Sequence, residues 1–138
     1  MNSPMPLPTP IPAETSETAP FWEATTQQRL MIQWCAGCEK MVWYPRAHCP
    51  RCGSSNLEWS TCTGRGTVYS YTTVAHGTDA YSDVTGYVLA YVELDEGPRV
   101  LTNIVGCLPS EVSVDMRVIA EFHPTTGHSA LLRFRPES

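Results

Sequence analysis

The second half of the chain is dominated by alternation. From Thr67 to His76, Val68, Ser70, Thr72 and Val74 fall on one side of a two-residue period, with Tyr69, Tyr71 and Thr73 on the other. That is the period of a strand. Gly86–Asp95, Arg99–Val105, Arg117–His123 and Ser129–Phe134 share this texture and predict four further strands. Turn signals separate them: Gly64-Arg65-Gly66, the polar stretch Gly77–Ser82, Glu96-Gly97-Pro98, and Thr125-Thr126-Gly127. Cys107–Val114, which contains Pro109-Ser110-Glu111, reads as a turn or a single helical turn. Five evenly spaced strands suggest a small closed barrel of the OB type, with an SH3-like barrel or an open meander as rivals. Closure would also remove exposed strand edges.

Upstream the pattern is shorter-ranged. Pro20–Gln28 predicts a short helix, with Pro20 in the first turn, where a missing N–H costs nothing, and Phe21, Trp22 and Ala24 as an apolar patch. So short a helix must pack on something. Leu30, Ile32 and Trp34 alternate with Met31 and Gln33 in a strand leading into Cys35, and Met41–Tyr44 predicts the return strand before Pro45. Ahead of these, Pro4, Pro6, Pro8, Pro10 and Pro12 predict an extended tail without fixed order. The expected organisation is a disordered Pro-rich tail over 1–19, a helix plus zinc ribbon over 20–60, and an OB-fold over 61–138, mainly β throughout.

The two halves are joined around cysteines. Cys35-Ala36-Gly37-Cys38 and Cys49-Pro50-Arg51-Cys52 are two Cys-x-x-Cys pairs, each able to present two sulfurs from one tight turn. Facing turns of this kind make a four-thiolate cage suited to Zn²⁺, with Zn–S of about 2.3 Å. Cys35, Cys38, Cys49 and Cys52 are therefore the expected ligands, in a closed site that is structural rather than catalytic. His48, beside Cys49, is a weaker substitute ligand. A ribbon this small buries little apolar surface, so the metal would supply much of its folding free energy, on the order of 10 kcal/mol.

Composition narrows the function. The net charge is −5 over 138 residues, which lacks the basic surplus a nucleic-acid binder uses to release counterions. No nucleic-acid partner is expected. The chain has no apolar run of membrane-spanning length and no signal-peptide pattern at its start, so no membrane partner is expected either. Four cysteines in metal spacing argue against a disulfide framework and for a reducing cytoplasm. Cys62 and Cys107 remain as small, partly buried thiols.

The motifs together resemble the domain of unknown function thirty-five family. The resemblance rests on Pro20-Phe21-Trp22-Glu23, the two cysteine pairs, Tyr44-Pro45-Arg46, Gly53-Ser54 after the second pair, Gly64-Arg65-Gly66-Thr67-Val68-Tyr69-Ser70-Tyr71-Thr72, and Val92-Glu93-Leu94-Asp95-Glu96-Gly97-Pro98-Arg99. It runs from about Pro20 to the C-terminus. The chain departs from it at Arg29, Glu39 and Asp115, where glycine is common in the family. The resemblance implies a rubredoxin-like ribbon followed by an OB-fold, and a role as accessory subunit of a thiolase-like acyl-CoA enzyme, such as a condensing enzyme or a steroid side-chain aldolase. It makes Lys40, Arg46, Arg51 and Arg65 candidate contacts for CoA phosphates, and Phe21, Trp22, Trp43 and Tyr44 a candidate partner surface.

The chain offers no convincing catalytic set of its own. His76 and Asp79 share one loop, and Cys62 lies near Arg65 in sequence, but neither forms a recognisable nucleophile arrangement. The expected role is non-catalytic assembly. The alternatives are an independent acyl-CoA enzyme, or a nucleic-acid-binding OB module using Tyr69, Tyr71 and Tyr91 as stacking rings.

Overall fold

The computed structural model describes residues 7–137. Helix α1 (Ala19–Thr25) leads into a three-stranded antiparallel sheet of β1 (Met31–Cys35), β2 (Lys40–Val42) and β3 (Leu57–Thr61), in the order β2-β1-β3. Five strands follow: β4 (Arg65–Val74), β5 (Tyr87–Leu94), β6 (Arg99–Ile104), β7 (Arg117–Pro124) and β8 (Ala130–Pro136). They close into a barrel in the order β4-β5-β6-β8-β7, with β4 pairing back onto β7. β6 and β8 run parallel, and the other barrel pairs are antiparallel. This is the five-stranded OB-fold barrel that the alternation predicts, and neither rival topology is formed.

The barrel interior is built from inward positions of the alternating strands. Val68, Val88, Ala90, Val92, Leu94, Val100, Ile104, Val118 and Phe134 are all buried. The same cluster takes in Phe21 and Trp22 of α1, together with Leu30 and Ile32. The helix thus finds its packing partner in this chain's own barrel, and the Ala130 N–H donates to Thr25 Oγ1 at 3.0 Å across that contact.

Four local expectations change. Helix α1 ends at Thr25 rather than Gln28. Thr26 Oγ1 donates to Glu23 O at 2.6 Å, and Gln28 takes a left-handed φ of 58° that turns the chain towards Leu30. The return strand is Lys40–Val42, so Trp43 and Tyr44 stand outside it. β3 was not anticipated, although Leu57 and Trp59 alternate with Glu58 and Ser60; the Ser54-Ser55-Asn56 run before it reads as loop. In β4 a bulge between Val68 and Ser70 shifts the register against β5, so that Tyr71 faces Ala90 and Thr73 faces Val88. A bulge inserts one residue and flips every later side chain. Ser70, Thr72 and Val74 therefore share the outer face and not the face of Val68.

Two of the three departures from glycine are explained by backbone. Glu39 and Asp115 both hold left-handed φ, 57° and 72°. At the third place the left-handed residue is Gln28, one position before Arg29.

Of the Pro-rich tail, the described residues begin at Leu7. Residues 1–6 lie outside the described residues. Residues 7–18 cross the outer face of β7 and β8 as a strap. Pro8 O accepts from Arg133 Nη2 at 2.6 Å, and the Thr15 N–H donates to Thr18 Oγ1 at 2.9 Å just before α1. Proline supplies a stiff track with few donors to satisfy, and Arg133 supplies the anchor.

Candidate metal centre and assembly face

The four thiols of the two Cys-x-x-Cys pairs converge. Their Sγ atoms all lie within 4.8 Å of one another. Cys35 and Cys52 are 3.5 Å apart, and Cys38 and Cys49 are 3.7 Å apart. A tetrahedron with Zn–S of about 2.3 Å has edges of about 3.8 Å, so the cage has the size the ion requires. Gly37 lies against it: a Cβ there would stand 3.3 Å from Cys52 Sγ and 3.1 Å from Ser54 Cβ. Gly53, at φ +76°, closes the second turn in a conformation that favours glycine.

The electrostatics also fit a cation. The Cys52 N–H, helped by the Arg51 N–H, pulls the Cys49 thiol down to about 6 against the opposing effect of burial. The Cys35 thiol is lowered, chiefly by the Cys38 N–H. Cys52 moves the other way, to about 11: its bond from the Ser54 N–H is outweighed by Cys35, burial and the remaining two sulfurs. A fourth thiolate is opposed by the first three until a dication sits among them. The ribbon is a structural zinc site, and zinc there holds loops rather than supplying a reactive position. His48 is exposed and outside the cluster.

Of the candidate phosphate contacts, the structure brings two together. Lys40 and Arg51 line a cleft of about 450 Å³ between ribbon and barrel, with Trp34, Trp43 and the carboxylates of Glu39 and Glu96. A third cation in the cleft, Arg99, was not anticipated. Arg51 Nη2 also donates to Met41 O at 2.9 Å. Arg46 is turned elsewhere: its Nε donates to Tyr44 O, and its backbone is clamped by the buried Gln33 amide through two 2.9 Å bonds. Arg65 pairs with Glu137 at 3.1 Å.

The aromatic group divides. Phe21 stacks edge-on against both Trp22 and Trp43, and Trp43 against Tyr44. Phe21 and Trp22 are only 2% and 8% exposed, so they are withdrawn from any partner: the barrel itself buries them. Tyr44 stays exposed at the edge of this stack.

A different apolar surface is exposed on the barrel. Tyr91 of β5 lies opposite Leu101 of β6 and opposite Ser70 of β4, all on the outer face. Tyr91 and Leu101 are 46% and 55% exposed, and Tyr69 at the bulge is exposed beside them. The Arg99 guanidinium lies 3.7 Å over the Tyr69 ring, and its Nε pairs with Glu93 at 3.0 Å. Arg99 thus joins this face to the ribbon cleft. The bulge carries the signal that sequence reading lacked, because it decides which tyrosines point outward.

The remaining candidates are quiet. No hydrogen bond or ion pair joins His76 to Asp79 among the described residues, and both are exposed. Cys62 is buried, and burial together with the Glu96 carboxylate pushes its thiol up to about 12. That is the opposite of an activated nucleophile. No helix among the described residues is long and apolar enough to cross a membrane.

Comparison with known proteins follows the same division. Residues 22–58 match the model of the ChsH2 rubredoxin-like zinc ribbon domain, and residues 59–123 match that of the ChsH2 C-terminal OB-fold domain. A DUF35 domain-containing scaffold protein of Methanothermobacter thermautotrophicus is 34% identical over 101 residues, covering 72% of this chain and 76% of that protein. The chain belongs to the DUF35 family. It is also 39% identical over 127 residues to a probable enoyl-CoA hydratase alpha subunit of Thermomonospora curvata, covering 92% of this chain. The chain spans 40% of that relative's length. Among solved structures, a chain of the Ltp2-ChsH2(DUF35) aldolase superposes with a TM-score of 0.81 at 37% identity, covering 93% of this chain and 100% of that one.

Proposed function

We propose that this chain is an assembly subunit of an acyl-CoA-processing complex, docking on a thiolase-fold enzyme such as a side-chain aldolase. The observation that carries the reading is the full-length likeness to one chain of an aldolase complex. The exposed outer face supports it. Tyr69, Tyr91 and Leu101 form an apolar surface on rigid strands, and aromatic side chains on such a face are the usual anchors of a stable interface of about 1,600 Å². The zinc-pinned ribbon would extend this surface through Arg99 and fix the loops beside it. Within the assembly, Lys40 and Arg51, joined by Arg99, would meet the phosphates of the partner's CoA ester at the cleft. Arg46 and Arg65 are left out of that role because neither lines the cleft. A reducing cytoplasm suits six cysteines, none in a disulfide.

The test is capture on tagged chain from its source extract, with the bound enzyme identified by mass spectrometry. Wild type should retain a thiolase-fold enzyme stoichiometrically, and the double variant Tyr91→Glu, Leu101→Glu should lose it while keeping its zinc. Retention of the enzyme by the double variant would move the interface off this face. Absence of any thiolase-fold enzyme from the wild-type capture would overturn the assembly role.

A further inference from the structure

We propose that the cavity between the N-terminal strap and the barrel wall is a small-molecule site for a ligand with an apolar body and one hydrogen-bond-donating group. The proposal stands apart from the assembly role and from the ribbon cleft. The cavity has a volume of about 360 Å³ and is walled by Val84, Tyr87 and Val105, with Leu7 of the strap along one side. That volume lies at the lower end of ligand pockets, about the size of two or three fused rings.

Its polar end is built to accept. Glu121 and His123 both line it. Arg133 Nη1 donates to His123 Nδ1 at 2.9 Å, so that nitrogen carries no proton, and the ring's Nε2–H donates to Glu121 Oε2 at 2.7 Å. The imidazole is thereby used on both sides. Glu121 keeps Oε1, whose nearest cation is Arg135 Nε at 3.6 Å. Arg133 itself is 1% exposed, held by Pro8 O and Tyr81 OH, and stays out of a ligand's reach. Among the lining groups, which also include Thr85 and the Cys107 thiol, Glu121 is the carboxylate, and it selects a hydroxyl or N–H over a carboxylate or phosphate. The same buried arginine pins the strap, which keeps Leu7 over the cavity.

The test uses the zinc-loaded full chain with 2-naphthol as probe and 2-methoxynaphthalene as its donor-free counterpart, followed by calorimetry and amide chemical-shift mapping. One saturable 2-naphthol site is expected, with shifts centred on residues 84–88 and 105–107. Val105→Trp should fill the cavity and abolish binding. Glu121→Gln should weaken 2-naphthol about fivefold, since a neutral acceptor is roughly half as strong, and leave 2-methoxynaphthalene unchanged. Non-saturable binding, shifts elsewhere, or an equal response of both probes to Glu121→Gln would overturn the proposal. The Glu121 variant keeps it falsifiable should the tryptophan variant not fold.

Discussion

The ribbon tip and the barrel are made of the same short strands but are held by different forces. Around the cysteines only Cys35, Val42 and Cys49 form a buried cluster, edged by Cys38 and Leu57. The barrel cluster contains the inward positions of all five barrel strands, together with α1 and the start of β1. The contrast shows where the real boundary falls. Leu30 and Ile32 belong energetically to the barrel, while Cys35, three residues further on, belongs to the metal. The segment from Leu30 through β1 is the splint between them: Leu30 O accepts from the Cys62 N–H at 2.8 Å, just before the barrel begins.

The largest break in this comparison should come from the cage. Cys35→Ser or Cys52→Ser removes a ligand from a site whose metal is worth on the order of 10 kcal/mol in isolated ribbons. Zinc content should fall to zero and amides over residues 35–56 should exchange rapidly, while β4–β8 remain protected. Joint loss of protection would merge the two regions into one cooperative unit.

The complementary break is Phe134→Ala, at a fully buried barrel position. A cavity of that kind costs about 3–5 kcal/mol. Denaturant unfolding should show the loss across the barrel, with zinc still bound in the folded fraction. Smaller is Arg133→Met, which deletes the donors to Pro8 O, Tyr81 OH and His123 Nδ1. Its cost should be about 2 kcal/mol, and limited proteolysis should cut within residues 7–18 faster than in wild type, with zinc content unchanged.

The last effect appears only at alkaline pH. Burial, and then Glu96, raises the Cys62 thiol to about 12. A folded value above the unfolded one contributes stability below the ordinary thiol range, and that contribution is lost as pH rises from about 9 towards 12. Cys62→Ala should flatten the alkaline limb of the stability profile. In the native protein at pH 8, a thiol reagent should react at the half-exposed Cys107 before Cys62.

Most of the barrel was legible because its strands are half-buried, and alternation reports that directly. The cage was legible because thiolate spacing is a covalent matter, independent of packing. What escaped reading was whatever depends on a register or on a distant partner. Tyr69 is one residue too many for its ladder, and nothing in the local sequence says that β4 shifts there. Phe21 and Trp22 look like a free patch until the barrel that buries them is closed. Proline composition marks the strap as extended, but its placement against β8 rests on Arg133, 125 positions away from Pro8. Arg99 lies in a turn-proximal strand and becomes a cleft residue only when the ribbon folds against it.

A metal-held ribbon and a closed barrel are proposed to present one face together to an acyl-CoA enzyme. Native mass spectrometry of the affinity-purified chain tests it most directly. The account predicts an assembly containing a thiolase-fold enzyme and one zinc ion per copy of this chain. A 15.3 kDa species recovered alone, or an assembly whose copies of this chain carry no zinc, would contradict it.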